Sequence, residues 1–443
     1  MSQRIIYKFG GSCLASSDDI EALVERVRES GEATVVVVSA FNGVTDRILE
    51  QVDHGSLHMV PAFVASIEIE HLERVPEIQQ SPWAIRFADA LHHLAGCLTT
   101  HLTEPNEALR DESLACGEKL SSIAIAAALD ARGIPAQPSW SEEIGIHLND
   151  SGESAGIDIE RTRENLSIPM GATPVITGWY GTHDGRIALM GRGGSDLSAT
   201  SLAAILDAEG VTIWRDVAGI LALAPRWSLP SRNLPYLSYT EVSELALFSE
   251  PMLHPSAVDP LRSAGIPLRL RPLHDPTARG SIIGPEVSTE DVDVRAVGCV
   301  SSLTPITWRL SSALSLAHPV IDATSVLERA RIRIWSLGAT PGMVRLLVSS
   351  RSAHRANRLL NELPGLPTPE VGEPVSLLCF VGEGIGGDEQ VRADLKSAAG
   401  KAGIILSIHA DAPREHAIHA TVPFHQTEAA LIGFAEALNL LTP

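Results

Sequence analysis

Two glycine-rich turns are the parts of this chain best suited to chemistry. The first is Lys8-Phe9-Gly10-Gly11-Ser12 and the second is Gly191-Arg192-Gly193-Gly194-Ser195-Asp196. Glycine lets a backbone approach an anion closely, and a helix N-terminus behind the turn adds favourable partial charge. A lysine beside such a turn offers an ammonium that neutralises charge on a transferring phosphoryl group. Neither turn is the GxxxxGK[ST] of a P-loop, and neither is a GxGxxG following a first strand. Tight strand-to-helix turns also use glycine for structural reasons alone. Two of them, each flanked by a basic residue or a carboxylate, point toward phosphate. Lysine is scarce, occurring at 8, 119, 396 and 401, which draws attention to Lys8.

The elements around these turns read as an α/β chain. Ile5, Ile6 and Tyr7 make a short apolar run that Gly10 and Gly11 break. Ser16 or Ser17 then caps a helix with apolar residues at Ile20, Leu23, Val24 and Val27. ATVVVV, from Ala33, is a β-branched run suited to a strand buried on both faces, as in a parallel sheet. Residues 50 to 110 read as helical. A helix from Glu118 ends at Gly133, a strand follows at 174 to 181, and the second glycine turn opens an Ala-rich helix through Asp207. A strand from Val211 continues the strand–helix alternation to about residue 285.

After that the pattern changes. A strand at 294 to 301, a helix at 320 to 331 and strands at RIRIW and MVRLLVS precede a Pro-rich break at 362 to 374. The order then restarts with VSLLCFVGEG, a helix at 388 to 402, two strands and a last helix from Gln426. These are two β-α-β-β units of about 70 residues, ferredoxin-like in pattern.

The 443 residues carry 34 Lys+Arg against 54 Asp+Glu, a formal net charge of −20. That argues against nucleic acid or an anionic membrane as partner, because phosphate-backbone binding needs a basic footprint. The five cysteines are scattered, with no CxxC pair, which supports neither a zinc site nor a thioredoxin-type motif and suits a reducing compartment. The histidines at 54, 58, 71, 92, 93 and 101 lack a Cys or carboxylate at metal spacing and read as structural or surface residues. The N-terminus has no secretory pattern and no run of 18 apolar residues occurs, so a cytoplasmic protein is expected.

An ordered set of segments resembles the amino acid kinase family and, within it, the aspartate kinases. It comprises KFGGSC, VSAFNGVTD (38–46), CGEKLSS (116–122), GRGGSD (191–196), WRDVAGILALAPR (214–226), LSYTEVSELA (237–246), LHPSAV (253–258) and IPLRLRPLHDPTARGSII (266–283). The resemblance implies a three-layer α/β kinase domain with a mainly parallel central sheet over residues 1–285. Two ferredoxin-like regulatory modules, similar to paired ACT domains, would follow at 294–368 and 375–443. It implies ATP and Mg²⁺, an amino-acid substrate, an amino-acid effector at the modules, and a homodimer or higher homo-oligomer.

By that resemblance Lys8 would bridge the nucleotide phosphates, and Gly10, Gly11 and Ser12 would hold phosphate through backbone amides. Ser39, Thr45, Gly193, Gly194 and Ser195 would line the amino-acid site. Glu118 would take the substrate's α-ammonium and Arg192 its α-carboxylate. Asp196 would orient Lys8, while Arg215, Asp216, Leu221 and Arg226 would lie at the nucleotide. Mg²⁺ would come with ATP rather than bind the protein directly. The charges are consistent with an amino-acid substrate: one anion for its ammonium, one cation for its α-carboxylate, and a side-chain carboxylate that is already a nucleophile near pH 7.

Plainer readings of the same residues stand alongside. Glu118 suits the first turn of a helix, Asp196 and Thr45 suit helix N-caps, Asp216 a turn cap, Lys119 the surface, and Gly382-Glu383-Gly384 an ordinary loop. The chain also departs from the family at the nucleotide rim. Pro251, beside Glu250, stands where the family has a Lys, Ala224 replaces an Asp, and Leu221 a Tyr. A kinase for another amino acid and a non-catalytic effector-binding relative are therefore the alternatives to an aspartate kinase.

Overall fold

The computed structural model describes residues 4–31, 33–152, 154–248, 253–287, 292–310, 317–340, 342–409 and 415–442; Glu250 and Pro251 lie outside them. In chain order the first stretch contains β1 (Ile5–Phe9), α1 (Ser17–Ser30), β2 (Thr34–Val38), α2 (Val44–His54), α3 (Val60–Arg74), α4 (Ala84–Thr103), α5 (Glu107–Ala131) and β3 (Ala136–Ser139). Next come α6 (Ser141–Ile144), α7 (Ile159–Asn165), β4 (Thr173–Thr177), the hairpin β5 (Tyr180–His183) and β6 (Arg186–Leu189), α8 (Gly194–Ile205) and β7 (Gly210–Arg215). Then follow β8 (Tyr236–Ser238), α9 (Tyr239–Phe248), α10 (Asp259–Ala264), β9 (Leu268–Pro272) and β10 (Ser281–Gly284).

Every residue of β2 is buried, as its unbroken β-branched run predicts. It lies in an eight-stranded sheet of order β3-β4-β2-β1-β7-β9-β10-β8. All neighbours in it are parallel except β9 and β10. A capping box on Ser16 and Asp19 starts α1, so the first helix begins where the sequence signals it. The helix expected from Glu118 starts much earlier, at Glu107, where Asn106 accepts from the amides of Ala108 and Leu109. Glu118 is therefore a mid-helix residue and not a first-turn carboxylate. Gly117 does not break α5. A Cβ there would come within 3.0 Å of the Ala40 Cβ, so glycine serves close packing instead.

The chain groups into two units. The first is Met1–Ile220, Asn233–Tyr239 and Met252–Pro285; the second is Leu221–Arg232, Thr240–Pro251 and Glu286–Pro443. Two short segments that the sequence places with the kinase region thus group with the C-terminal part.

The second unit holds β11 (Ala296–Arg309), α11 (Ala317–Arg329), β12 (Ile334–Thr340), β13 (Met343–Ser349), α12 (Ser350–Asn361), β14 (Glu370–Val371), β15 (Val375–Val381), α13 (Glu389–Lys401), β16 (Ser407–Ile408), β17 (Ala417–Pro423) and α14 (Thr427–Ala437). The strands of both expected modules share one sheet of order β12-β13-β11-β15-β17-β16, with β14 on β11. The length of β11 explains this: its C-terminal half pairs with β13 and its N-terminal half with β15. RIRIW lies only partly in a strand, since β12 starts at Ile334. Among the described residues, no helix is long and apolar enough to cross a membrane.

Trp214 on β7 ties the sheet together beside Lys8. It is 1% exposed, stacks on Phe9 at 6.3 Å and meets Tyr7 edge-on at 5.5 Å. Those two residues flank Lys8 on β1. Trp214→Ala removes both ring contacts and leaves a cavity, so urea unfolding should show a loss of about 3–5 kcal/mol. A loss below about 1 kcal/mol would show that the ring does not carry this part of the core.

Candidate active site

The sequence-predicted residues of the first unit gather at the C-terminal ends of its parallel strands. In open α/β sheets that is where crevices form and ligands bind. Lys8 lies on β1, opposite Val37 of β2 and Ile213 of β7. The chain leaves β1 through Gly10 into a 3₁₀ turn over Gly11–Cys13. A Cβ at Gly10 would sit 3.1 Å from Lys8 Nζ, and one at Gly11 would sit 3.3 Å from the Ala40 carbonyl oxygen. A side chain at Gly10 or Gly11 would therefore crowd the ammonium or the β2 exit. Ser12 donates a 3.3 Å hydrogen bond to Asp216, an exposed residue just past β7.

The second glycine turn brings Asp196 to Lys8. Gly193 is the N-cap of α8 at φ +78°, and a Cβ there would meet the Cβ of His254 at 2.4 Å. Asp196 is the third residue of the helix, so it is not the cap. Its Oδ1 lies 2.7 Å from Lys8 Nζ and its Oδ2 accepts from Arg215 at 2.6 Å. Lys8 and Asp196 side chains are each only 6% exposed. Burial pushes the Asp196 carboxyl up, but the Lys8 and Arg215 cations outweigh it and hold it below the usual carboxylate range. Arg215, expected at phosphate, is thus first of all a partner of Asp196. The trio carries one surplus positive charge next to a turn whose two glycines leave little space for a Cβ.

Glu118 is in the opposite condition. Its Oε1 accepts from the Ala40 amide at 3.2 Å, while Oε2 is buried without a hydrogen-bond partner among the described residues. Burial pushes its carboxyl up to about 8, only partly offset by the Ala40 hydrogen bond and by Lys8. A buried carboxylate oxygen left open in this way suits a ligand that brings its own cation. Lys119 fixes the helix face. Expected at the surface, it is buried, with Nζ 2.5 Å from Glu142 Oε1 and 4.9 Å from the centre of the Trp140 ring. Tyr180 donates to the other Glu142 oxygen at 2.8 Å.

Ser39 and Thr45 are half-buried near the β2 exit, and Thr45 is the second residue of α2 behind Gly43, not its cap. Arg192 is exposed and makes no ion pair among the described residues. Gly194 and Ser195 pack closely: a Cβ on Gly194 would meet Trp179 Cδ1 at 2.7 Å, and one on Gly178 would meet Ser195 Cβ at 2.8 Å. Leu221 and Arg226 belong to the second unit, where the Arg226 guanidinium donates to the Cys299 carbonyl. Sequence reasoning missed Glu142, Tyr180 and His254, none of which stands in a spacing pattern. For His93, read from the sequence as a structural or surface residue, the fold supplies neighbours that its own sequence surroundings do not show. The α4–α5 hairpin sets Glu112, from the next helix, 3.3 Å from that ring, and Cys97 lies one turn on.

The glycine turn, the buried lysine and the surplus cation fit a phosphate chain. Each Asp196 oxygen already faces a cation of the protein, which leaves Mg²⁺ to arrive with the nucleotide.

The family model described as the amino acid kinase family matches residues 3–272. Aspartokinase 1, chloroplastic, of Arabidopsis thaliana is 29% identical over 63% of this chain and 51% of its own length. The bifunctional aspartokinase/homoserine dehydrogenase 2 of Escherichia coli is 28% identical over 86% of this chain and 48% of its own. The chain thus spans about half the length of these curated relatives. E. coli aspartokinase III, solved with aspartate and ADP, superposes with a TM-score of 0.81 at 23% identity, over 99% of this chain and 100% of that one. The same enzyme solved with lysine and aspartate gives 0.79 at 23% identity, over 99% and 100%.

The state of Glu118 gives a test that needs no activity. A carboxyl raised in the folded chain stabilises it below the unfolded value and loses that contribution as pH rises through the folded one. The ligand-free chain should lose stability between about pH 4.5 and 8, and Glu118→Gln should remove that part of the slope. Urea midpoints that track pH identically in both proteins would contradict the raised value.

Proposed function

We infer the function from one premise: the chain belongs to the amino acid kinase family. It transfers the γ-phosphoryl group of ATP to the side-chain carboxylate of L-aspartate, giving 4-phospho-L-aspartate and ADP. The observation that carries this reading is the buried Lys8 ammonium, fixed by Asp196 against the Gly10–Ser12 turn.

A carboxylate oxygen of the substrate attacks the γ-phosphorus, and the bond to the β,γ-bridging oxygen breaks with its electron pair leaving on ADP. The nucleophile is already ionised near pH 7, so no general base is needed. Catalysis is then positioning and charge neutralisation. Lys8 stabilises charge on the transferring group, and Gly10, Gly11 and Ser12 hold phosphate through main-chain amides. Asp196 and Arg215 keep the Lys8 side chain from collapsing onto other acceptors. Glu118 accepts the substrate α-ammonium, which supplies the cation that its open oxygen lacks. Arg192 takes the α-carboxylate, a task suited to a planar two-pronged donor. Ser39, Thr45, Gly193, Gly194 and Ser195 shape the amino-acid pocket, and Asp216 lies toward the nucleotide. Mg²⁺ bound to ATP supplies further charge neutralisation. Leu221 and Arg226 are assigned to the nucleotide from sequence resemblance alone. The same resemblance assigns an amino-acid effector to the second unit and a homo-oligomer to the chain.

The altered rim residue Ala224 favours one second reading, a kinase of the same kind acting on another amino acid. One assay separates the two. ADP release is measured with Mg·ATP and each of the twenty amino acids, with hydroxylamine present to trap an acyl phosphate. ADP and hydroxamate with aspartate alone are the expected result. Turnover with a different amino acid would replace the substrate, and silence with all twenty would remove the catalytic reading. Repeating it with millimolar lysine, threonine and methionine tests the effector; rates unchanged by all three would remove it.

A further inference from the structure

The α4–α5 hairpin carries a second group of chemistry-bearing side chains that the reaction does not use. His93 and Cys97 stand one turn apart on α4, and Glu112 reaches them from α5. His93 Nε2 is 3.3 Å from Glu112 Oε2. Cys97 Sγ is 3.5 Å from His93 Nε2 and 3.6 Å from Glu112 Oε2. We propose that His93, Cys97 and Glu112 form a binding site for a divalent cation of the zinc class, which clips α4 to α5.

The spacing carries the proposal. Tetrahedral zinc bonds of about 2.3 Å to sulfur, about 2.0–2.1 Å to nitrogen and about 2.0–2.2 Å to oxygen fix the ligand-to-ligand edges. They come to about 3.3–3.5 Å for N···O, about 3.6 Å for S···N and about 3.5–3.7 Å for S···O. The three observed edges match these, so an ion enters with little side-chain movement. A mixed thiolate, imidazole and carboxylate set selects zinc and its neighbours over magnesium or calcium, which take oxygen ligands. Access is also right. The side chains of His93 and Glu112 are 46% and 31% exposed, so the ion arrives from solvent and water fills its fourth position. Cys97 lies beneath them at 5%. Lys119, the nearby cation, is held by Glu142 and does not occupy the site.

Without metal the trio is held by two weak thiol contacts and by the His93–Glu112 pair. An ordinary cysteine thiol keeps its proton near pH 7. Binding exchanges that proton for the metal: the S–H bond breaks, a sulfur–metal bond forms, and one proton leaves to solvent. Glu112 and Glu118 lie on the same helix, so the clip steadies the element that carries Glu118 without touching the reacting groups.

The test titrates the metal-free full chain with Co²⁺. The expected result is one ion per chain, a thiolate-to-cobalt charge-transfer band with tetrahedral visible bands, release of one proton, and displacement by Zn²⁺. The folding equilibrium constant should rise about 100-fold when free metal is 100 times its dissociation constant. His93→Ala, at an exposed side chain that the fold does not need, should weaken binding about tenfold or more. Cys97→Ser should abolish the band. Cys379→Ser should leave it unchanged; this controls for a comparable Glu244, Cys379 and His419 group in the second unit. No thiolate band at millimolar Co²⁺, a band that survives both His93→Ala and Cys97→Ser, or a band lost in Cys379→Ser would each overturn the assignment.

Discussion

A carboxylate buried between two cations governs the architecture of the first unit. Asp196 must be ionised for Lys8 and Arg215 to stay in place, yet its side chain is almost closed to solvent. Removing one partner from such a group typically costs about 3–5 kcal/mol, whereas replacing it whole with apolar residues is often neutral or stabilising. The trio is therefore poorly explained as a stabilising device and better explained as a means of holding an ammonium still. Three elements must meet to build it: β1 for Lys8, β7 for Arg215 and the first turn of α8 for Asp196. The parallel pairing of β1 with β7 and the positive φ of Gly193 at the start of α8 bring these elements together.

The second carboxylate of the site is set the other way. Asp196 has two cations and is held ionised; Glu118 has one backbone amide and an open oxygen, and burial pushes it up to about 8. Environments that drive two carboxyl groups apart divide their roles. In the proposed function Asp196 acts on the protein's own lysine and Glu118 waits for the ammonium of the substrate. The two groups are linked, since Lys8 is also among the charges that lower Glu118.

What could be read from the sequence was local. The turn after β1, the capped α1, the buried run of β2 and the glycine turn into α8 are signalled by residues within a few positions of one another, and the structure has them where those signals lie. What could not be read depends on partners far along the chain. A helix read as starting at Glu118 starts at Glu107 and runs through Gly117, where glycine makes room for Ala40. Lys119 looks like a surface residue until Glu142 and Trp140 fold onto it. His93 has Asp89 and Cys97 one turn to either side on its own helix, but the carboxylate that meets its ring, Glu112, comes from the facing helix. The two C-terminal repeats read as separate modules, but a single long β11 joins their strands in one sheet.

The most direct test of the account is the effect of Lys8→Met on turnover and on substrate binding, measured in a protein shown by circular dichroism to be folded. In the proposed function Lys8 stabilises charge that develops on the transferring group and does not hold the amino acid. The account therefore requires a fall in kcat of about 10²–10³-fold or more, with the calorimetric Kd for aspartate within roughly threefold of the parent. Turnover within about tenfold of the parent would contradict it, as would a loss of aspartate binding with kcat unchanged.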